Sequence, residues 1–137
     1  MTEVLASGLA EIVADEESLA RFLTSSSQFN SIGAKPSAFL PNPKDRAKSV
    51  FRHRGQPRDS LWQIAEAHMA GVRTFGAAIV KAKYIRAAGL DVVAQEPPLR
   101  HANIVGWPWT QTDPEMMKAE HKERALIIVQ WAEVVRR

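Results

Sequence analysis

The chain has 137 residues, 45% of them hydrophobic and 24% charged, with no cysteine and a formal net charge of +3. That is the size and composition of one globular domain with a core of its own, and it excludes disulfides and thiolate metal sites. Residues 1–14 lack the basic start of a signal peptide and no apolar run nears the ~18 residues of a bilayer span, so a cytoplasmic protein without membrane contact is expected.

In chain order, residues 3–14 carry Leu5, Leu9, Ile12 and Val13 at helical spacing. Asp15 is placed to cap a second short helix with Leu19, Phe22 and Leu23 on one face. Residues 1–24 are thus expected to be a helical N-terminal segment. Residues 24–31 are polar and turn-rich and read as a linker. Residues 37–40 form an apolar run ended by Pro41 and Pro43, which predicts a strand at a sheet edge. Residues 49–53 alternate as a second strand.

Ser60 and Gln63 fit a capping box that opens a helix with Leu61, Ile64, Ala65, His68 and Met69 on one face, stopped at Gly71. Residues 75–80, 90–94 and 103–107 read as strands, and residues 81–88 as one or two helical turns closed by Gly89. At 112–136, an Asp113-Pro114 start and Ala125, Ile128, Val129, Ala132 and Val135 at helical spacing predict a buried C-terminal helix. The order predicts an α+β fold over residues 1–137 as a single domain. Its strand-rich core, 35–109, forms a small mixed or mostly antiparallel sheet covered by helices on one face, with helical N- and C-termini.

Charge is unevenly distributed. Residues 1–20 carry five acids and no Lys or Arg, while residues 35–100 carry twelve Lys or Arg against five acids. Lys44, Arg46, Lys48, Arg52, Arg54 and Arg58 fall within fifteen residues. Arginines on a strand and its flanking loops can clamp phosphate, so this region points to nucleic acid or another phosphorylated ligand. The other reading is a surface whose cations pair with the acidic N-terminus.

Residues 100–109 put a cation, an imidazole, a carboxamide and two indoles into ten positions. Arg100, Asn103 and Trp109 join the candidate binding residues. His101 and Asn103, two apart on a strand, share a face, with Ala102 and Ile104 on the other toward the core. Trp107 is expected to close the core and Trp109 to pack on the C-terminal helix near Trp131. Of the remaining histidines, His68 reads as a core residue and His121 as part of a solvated helix face. No two histidines have the spacing of a helical metal pair, and no Gly-rich phosphate loop or Gly-x-Ser-x-Gly elbow is present, so no metal or cofactor is expected.

The segments 34–41, 49–52, 86–93 and 100–108 resemble a set of small uncharacterised bacterial proteins sharing SVFR and RHANIxGWP-like words. The resemblance implies a bacterial origin and brings no activity. Three functions remain in order. The first is a binding module for nucleic acid or a phosphorylated ligand. The second is a protein–protein adaptor or homo-oligomer subunit. The third is a nucleotide- or RNA-directed enzyme in which Arg52, His53 and His101 converge as catalytic residues across neighbouring strands.

Overall fold

The computed structural model describes residues 4–54 and 56–137. Six strands form one open, wholly antiparallel sheet. They are β1 (Ser18–Leu23), β2 (Lys48–Arg52), β3 (Gly76–Lys81), β4 (Asp91–Ala94), β5 (His101–Val105) and β6 (Glu133–Arg136). Their spatial order is β4-β5-β2-β1-β3-β6. Three α-helices accompany them among the described residues: α1 (Ser60–His68), α2 (Ala82–Ala87) and α3 (Pro114–Gln130).

Side-chain alternation sends each central strand to two cores. Leu19, Leu23, Val50, Ala78, Val80, Val92, Ala102 and Ile104 meet Ala82 and Ile85 of α2 and Ala125 and Ile128 of α3 on one face. Ala20, Phe22, Phe51 and Ala77 meet Leu61 and Ala65 of α1 on the other. Helices therefore cover both faces, not one.

This two-sided burial explains the largest correction. Residues 18–23 are a central strand, and residues 4–17 form no helix. A strand buried on both faces is apolar at nearly every position, so Leu19, Phe22 and Leu23 mimic helical spacing. At the other end, α3 stops at Gln130 and residues 133–136 return as an edge strand on β3. Val134 and Val135 suit a strand, and Gly76 lets the edge in: a Cβ there would lie 2.5 Å from the Val135 carbonyl oxygen. The C-terminal helix thus forms over Pro114–Gln130, but the first and last elements are strands where helical termini were expected.

Other differences are local. Residues 36–38 make a 3₁₀ turn between prolines where a strand was expected. The capping box lies at Ser25 and Gln28, in the segment read as linker, whereas α1 is capped at Asp59 without a side-chain bond. The Asp113 cap of α3 forms as expected, its carboxylate accepting from the Met116 amide at 3.0 Å.

The acidic N-terminal segment is fastened across the sheet. The Arg52 side chain, fully buried, donates Nε and Nη2 to the two Glu17 carboxylate oxygens, each at 2.8 Å, and Nη1 to the Ala10 carbonyl at 2.7 Å. Arg86 donates to Asp15, to Asp91 and to the Val13 carbonyl, and Glu16 holds Lys81 and Lys83. Much of the charge asymmetry of the sequence is thus satisfied within the chain. Burial raises the Glu17 pKa, but the Arg52 hydrogen bonds, the Ala14 amide and the Arg52 charge outweigh it and leave the carboxyl below its ordinary value.

The sign follows from that direction. Stability from the Glu17 carboxylate is fully present above the ordinary glutamate pKa and is lost as pH falls through the lower folded value. Glu17→Gln strands a buried guanidinium and should cost ~3–5 kcal/mol at pH 7, with a shallower loss of stability toward acid than wild type. Replacing both partners, Glu17→Leu with Arg52→Met, should recover most of that loss. Urea melts from pH 7 to pH 4 check this, and a Glu17→Gln cost under 1 kcal/mol would contradict it.

Candidate functional site

The register of β2 on β5 opposes Phe51 to His101 and Ser49 to Asn103. All four side chains share the face that α1 partly covers, while Val50, Ala102 and Ile104 point to the other core. The expected division of residues 101–104 between two faces is therefore what the strand shows. Ser49 and His101 lie diagonally across the pair, near enough for long side chains to meet.

Their contact is direct. Ser49 Oγ and His101 Nε2 are 2.6 Å apart, and His101 Nδ1 is 2.9 Å from the Gln95 carbonyl oxygen. A carbonyl only accepts, so Nδ1 carries a proton and donates to it. In the neutral ring Nε2 is then the acceptor, and the Ser49 hydroxyl donates to it. A hydroxyl bonded to an imidazole that a third group orients is the arrangement of an activated nucleophile.

The pair opens into a cavity of about 230 Å³, also bordered by Arg21, Phe51, His68 and Pro98. Phe51 forms part of it, with the His68 ring stacked on it at 5.1 Å and the His101 ring edge-on at 5.4 Å. His68 is a half-buried residue at the rim of a cavity, not a closed core group.

Arg21 reaches this place because β1 and β2 part company. Their paired residues are Leu19 with Arg52 and Ala20 with Phe51. Beyond them the guanidinium enters the gap, Nη1 donating to the Ser49 carbonyl at 3.2 Å and Nε to the Ala38 carbonyl at 3.1 Å. By alternation Arg21 belongs with Leu19 and Leu23 on the face opposite Ser49 and His101, and it borders the cavity across the gap between the strands. Burial lowers the Arg21 pKa, but an arginine remains charged.

The residues singled out by sequence are dispersed around this centre. Arg52 points to the opposite face and is committed to Glu17. His53 lies in the loop after β2, Nε2 against the Pro57 carbonyl at 3.2 Å, in a different cavity with Glu16, Glu17 and Arg54. Its pKa is lowered by burial and by the Arg100 and Arg58 charges, against the opposing Pro57 bond. The expected convergence of Arg52, His53 and His101 does not occur, because successive strand residues face opposite ways and His53 leaves the strand altogether.

The basic residues divide between the two ends of β2. Lys44 and Arg46 are exposed in the turn before it, beside half-buried Lys48, whose pKa burial and the Arg21 charge lower to about 8 against Asp45. The Arg46 guanidinium sits over the Trp109 ring at 4.9 Å. At the far end, exposed Arg54 adjoins Arg100, which donates to the Arg52 and Arg54 carbonyls, while Arg58 pairs with Glu133. They do not make one continuous surface.

Asn103 gives its side-chain amide to the Gln95 side chain and lies opposite Ser49 in the strand pair, outside the cavity lining. Trp107 is buried, Nε1 donating to the Ile104 carbonyl at 3.1 Å. Trp109 borders a surface hollow with Met116 and Met117 at the start of α3, whereas Trp131 stacks on Tyr84 at 4.4 Å. His121 is buried between the two indoles of Trp107 and Trp109, with Nε2 2.5 Å from the Pro108 carbonyl, and is no solvated helix residue.

Sequence reasoning missed Arg21, Ser49 and His68 as site residues. A signal was present for Ser49, which shares with Phe51 the odd positions of an alternating strand. Nothing local marks Arg21, whose role depends on where β1 lies in the sheet.

No protein-family model matches the chain. No curated protein and no solved structure is significantly similar to it. Among the described residues no group of three metal-ligating side chains is assembled, and no helix is long and apolar enough to cross a membrane.

The site itself makes a stability prediction. Ser49 and His101 are half-buried beside an open cavity. Ser49→Ala removes one hydrogen bond whose partner can turn to water, so it should cost ~0.5–1.5 kcal/mol. Thermal melts check this, and a loss above about 3 kcal/mol would mark the pair as a closed structural element.

Proposed function

We propose that the protein binds a phosphorylated small molecule, with the phosphate seated in the cavity between β2, β5 and α1. The observation that carries this reading is the convergence of Ser49, His68 and His101 on one cavity that Arg21 also borders. The His68 imidazole, a Ser49 hydroxyl that a doubly protonated His101 would free to donate, and the nearby Arg21 charge suit the several oxygens of a phosphate, and charge-assisted bonds to such groups are the strong ones. The volume, about 230 Å³, falls below the ~300–1,000 Å³ of pockets that enclose drug-sized ligands. It therefore suits the phosphorylated end of a ligand whose remainder lies outside.

The nucleic-acid form of this reading has weaker support. A strand-binding stripe needs cations along one track with aromatic platforms. Here Arg58 has Glu133, Arg100 holds backbone carbonyls, and Lys44 with Arg46 stands at the opposite end of β2 from Arg54. The stacked Arg46 and Trp109 are the one feature that favours it. An adaptor role draws on exposed Leu126 and Trp131, single apolar side chains of the kind ordinary surfaces carry.

Calorimetric titration with inorganic phosphate and phenyl phosphate tests the reading. His101→Gln and His68→Gln should each weaken binding roughly tenfold, the worth of about one charge-assisted bond. Lys44→Gln and Arg46→Gln should change it less than about twofold, as exposed charges do. No binding to wild type, or a loss confined to the Lys44 and Arg46 variants, would contradict it.

A further inference from the structure

We propose that the cavity is reactive and that Ser49 is its nucleophile, with His101 as the base, so that the phosphorylated ligand is a phosphomonoester substrate; this rests on the binding reading above. Binding alone asks only for donors. It does not ask for a hydroxyl 2.6 Å from an imidazole nitrogen whose ring is held from behind by a backbone carbonyl at 2.9 Å. Those two contacts fix the lone pair of Nε2 on the Ser49 hydroxyl, the geometry that general-base activation requires. Ser49 is also held from its other side. Its carbonyl accepts from Arg21 Nη1 at 3.2 Å, so a fixed cation is anchored to the same residue as the nucleophile.

The chemistry closes without a further reagent. As Ser49 Oγ bonds to phosphorus, His101 Nε2 removes its proton. The bond from phosphorus to the ester oxygen, in line with Ser49 Oγ on the far side, breaks with its electron pair, and that oxygen takes a proton from a water molecule and leaves as an alcohol. The hydroxide so formed attacks the seryl phosphate from that same far side. The Ser49 Oγ–phosphorus bond breaks, His101 returns its proton to Ser49 Oγ, and inorganic phosphate departs. One phosphomonoester and one water give one alcohol and one phosphate. Arg21, hydrogen-bonded to the Ser49 carbonyl, provides a fixed positive charge close to the nucleophile's backbone.

The absence of cysteine gives a direct test on the full chain. In Ser49→Cys the new thiol is the protein's sole thiol, and an adjacent His101 should lower its pKa and raise its thiolate fraction. Iodoacetamide at pH 7 should alkylate it at least about tenfold faster than the exposed control Ser27→Cys, and His101→Gln should abolish that advantage. Wild type exposed to a fluorophosphonate should gain one phosphonyl group on Ser49, read by mass spectrometry of its peptides, and Ser49→Ala should gain none. Circular dichroism of each variant establishes folding, and the wild-type labelling stands independently of any variant. Failure of either the labelling or the thiol acceleration overturns the nucleophile. If phosphate still binds in calorimetry, the binding reading survives that failure; if phosphate does not bind, the binding reading falls and this proposal falls with it.

Discussion

The buried pair of Arg52 and Glu17 organises the rest of the molecule. Taking a guanidinium and a carboxylate out of water is costly, and it is offset here because Arg52 makes hydrogen bonds from Nε, Nη1 and Nη2 and Glu17 accepts a further one from the Ala14 amide. The pair joins β2 to the segment that leads into β1, so the last residue of one strand holds the entry to its neighbour. Because Arg52 points to the core shared with α2 and α3, Phe51 must point to α1, and Ser49 with it. The face on which the cavity opens is thereby set.

The cavity is a consequence of incomplete pairing. β1 and β3 are matched over all of β1, from Ser18 to Leu23, whereas β1 and β2 are matched only at Leu19 and Ala20. The Ser49 carbonyl, which a neighbouring strand would ordinarily satisfy, is satisfied by Arg21 instead. A side chain thus replaces a rung of the ladder, and its residue borders the cavity that two histidines also border. Continued pairing of β1 with β2 would have filled the gap, and no cation would stand there.

Legibility in the sequence followed burial pattern. The strands at 49–53, 75–80 and 90–94 and the helix from Ser60 were readable to within a residue or two, since each has one dominant periodicity and clear turn residues at its ends. Residues 18–23 were not, because a strand buried on both faces loses its alternation. The end of α3 was obscured in a similar way: Ala132 and Val135 continue the helical spacing of Ile128, yet Val134 and Val135 lie on β6. In the site, the common face of His101 and Asn103 was visible because it needs only a strand. Pairings across 17 or more residues were not: Arg21 with the Ala38 and Ser49 carbonyls, Ser49 with His101, and His68 over Phe51. The basic middle of the chain was visible as composition, but much of its charge serves the acidic N-terminal segment, a use that only the fold reveals.

If the cavity on this sheet face is an anion site and not a gap in packing, it will hold a tetrahedral oxyanion. A crystal structure of the protein grown with orthovanadate, a tetrahedral mimic of phosphate, tests it most directly. Vanadium density is expected in the cavity, next to Ser49 Oγ and with an oxygen within hydrogen-bonding distance of His68. An empty cavity, with vanadate bound instead at the Lys44–Lys48 turn or beside Arg54, would contradict it.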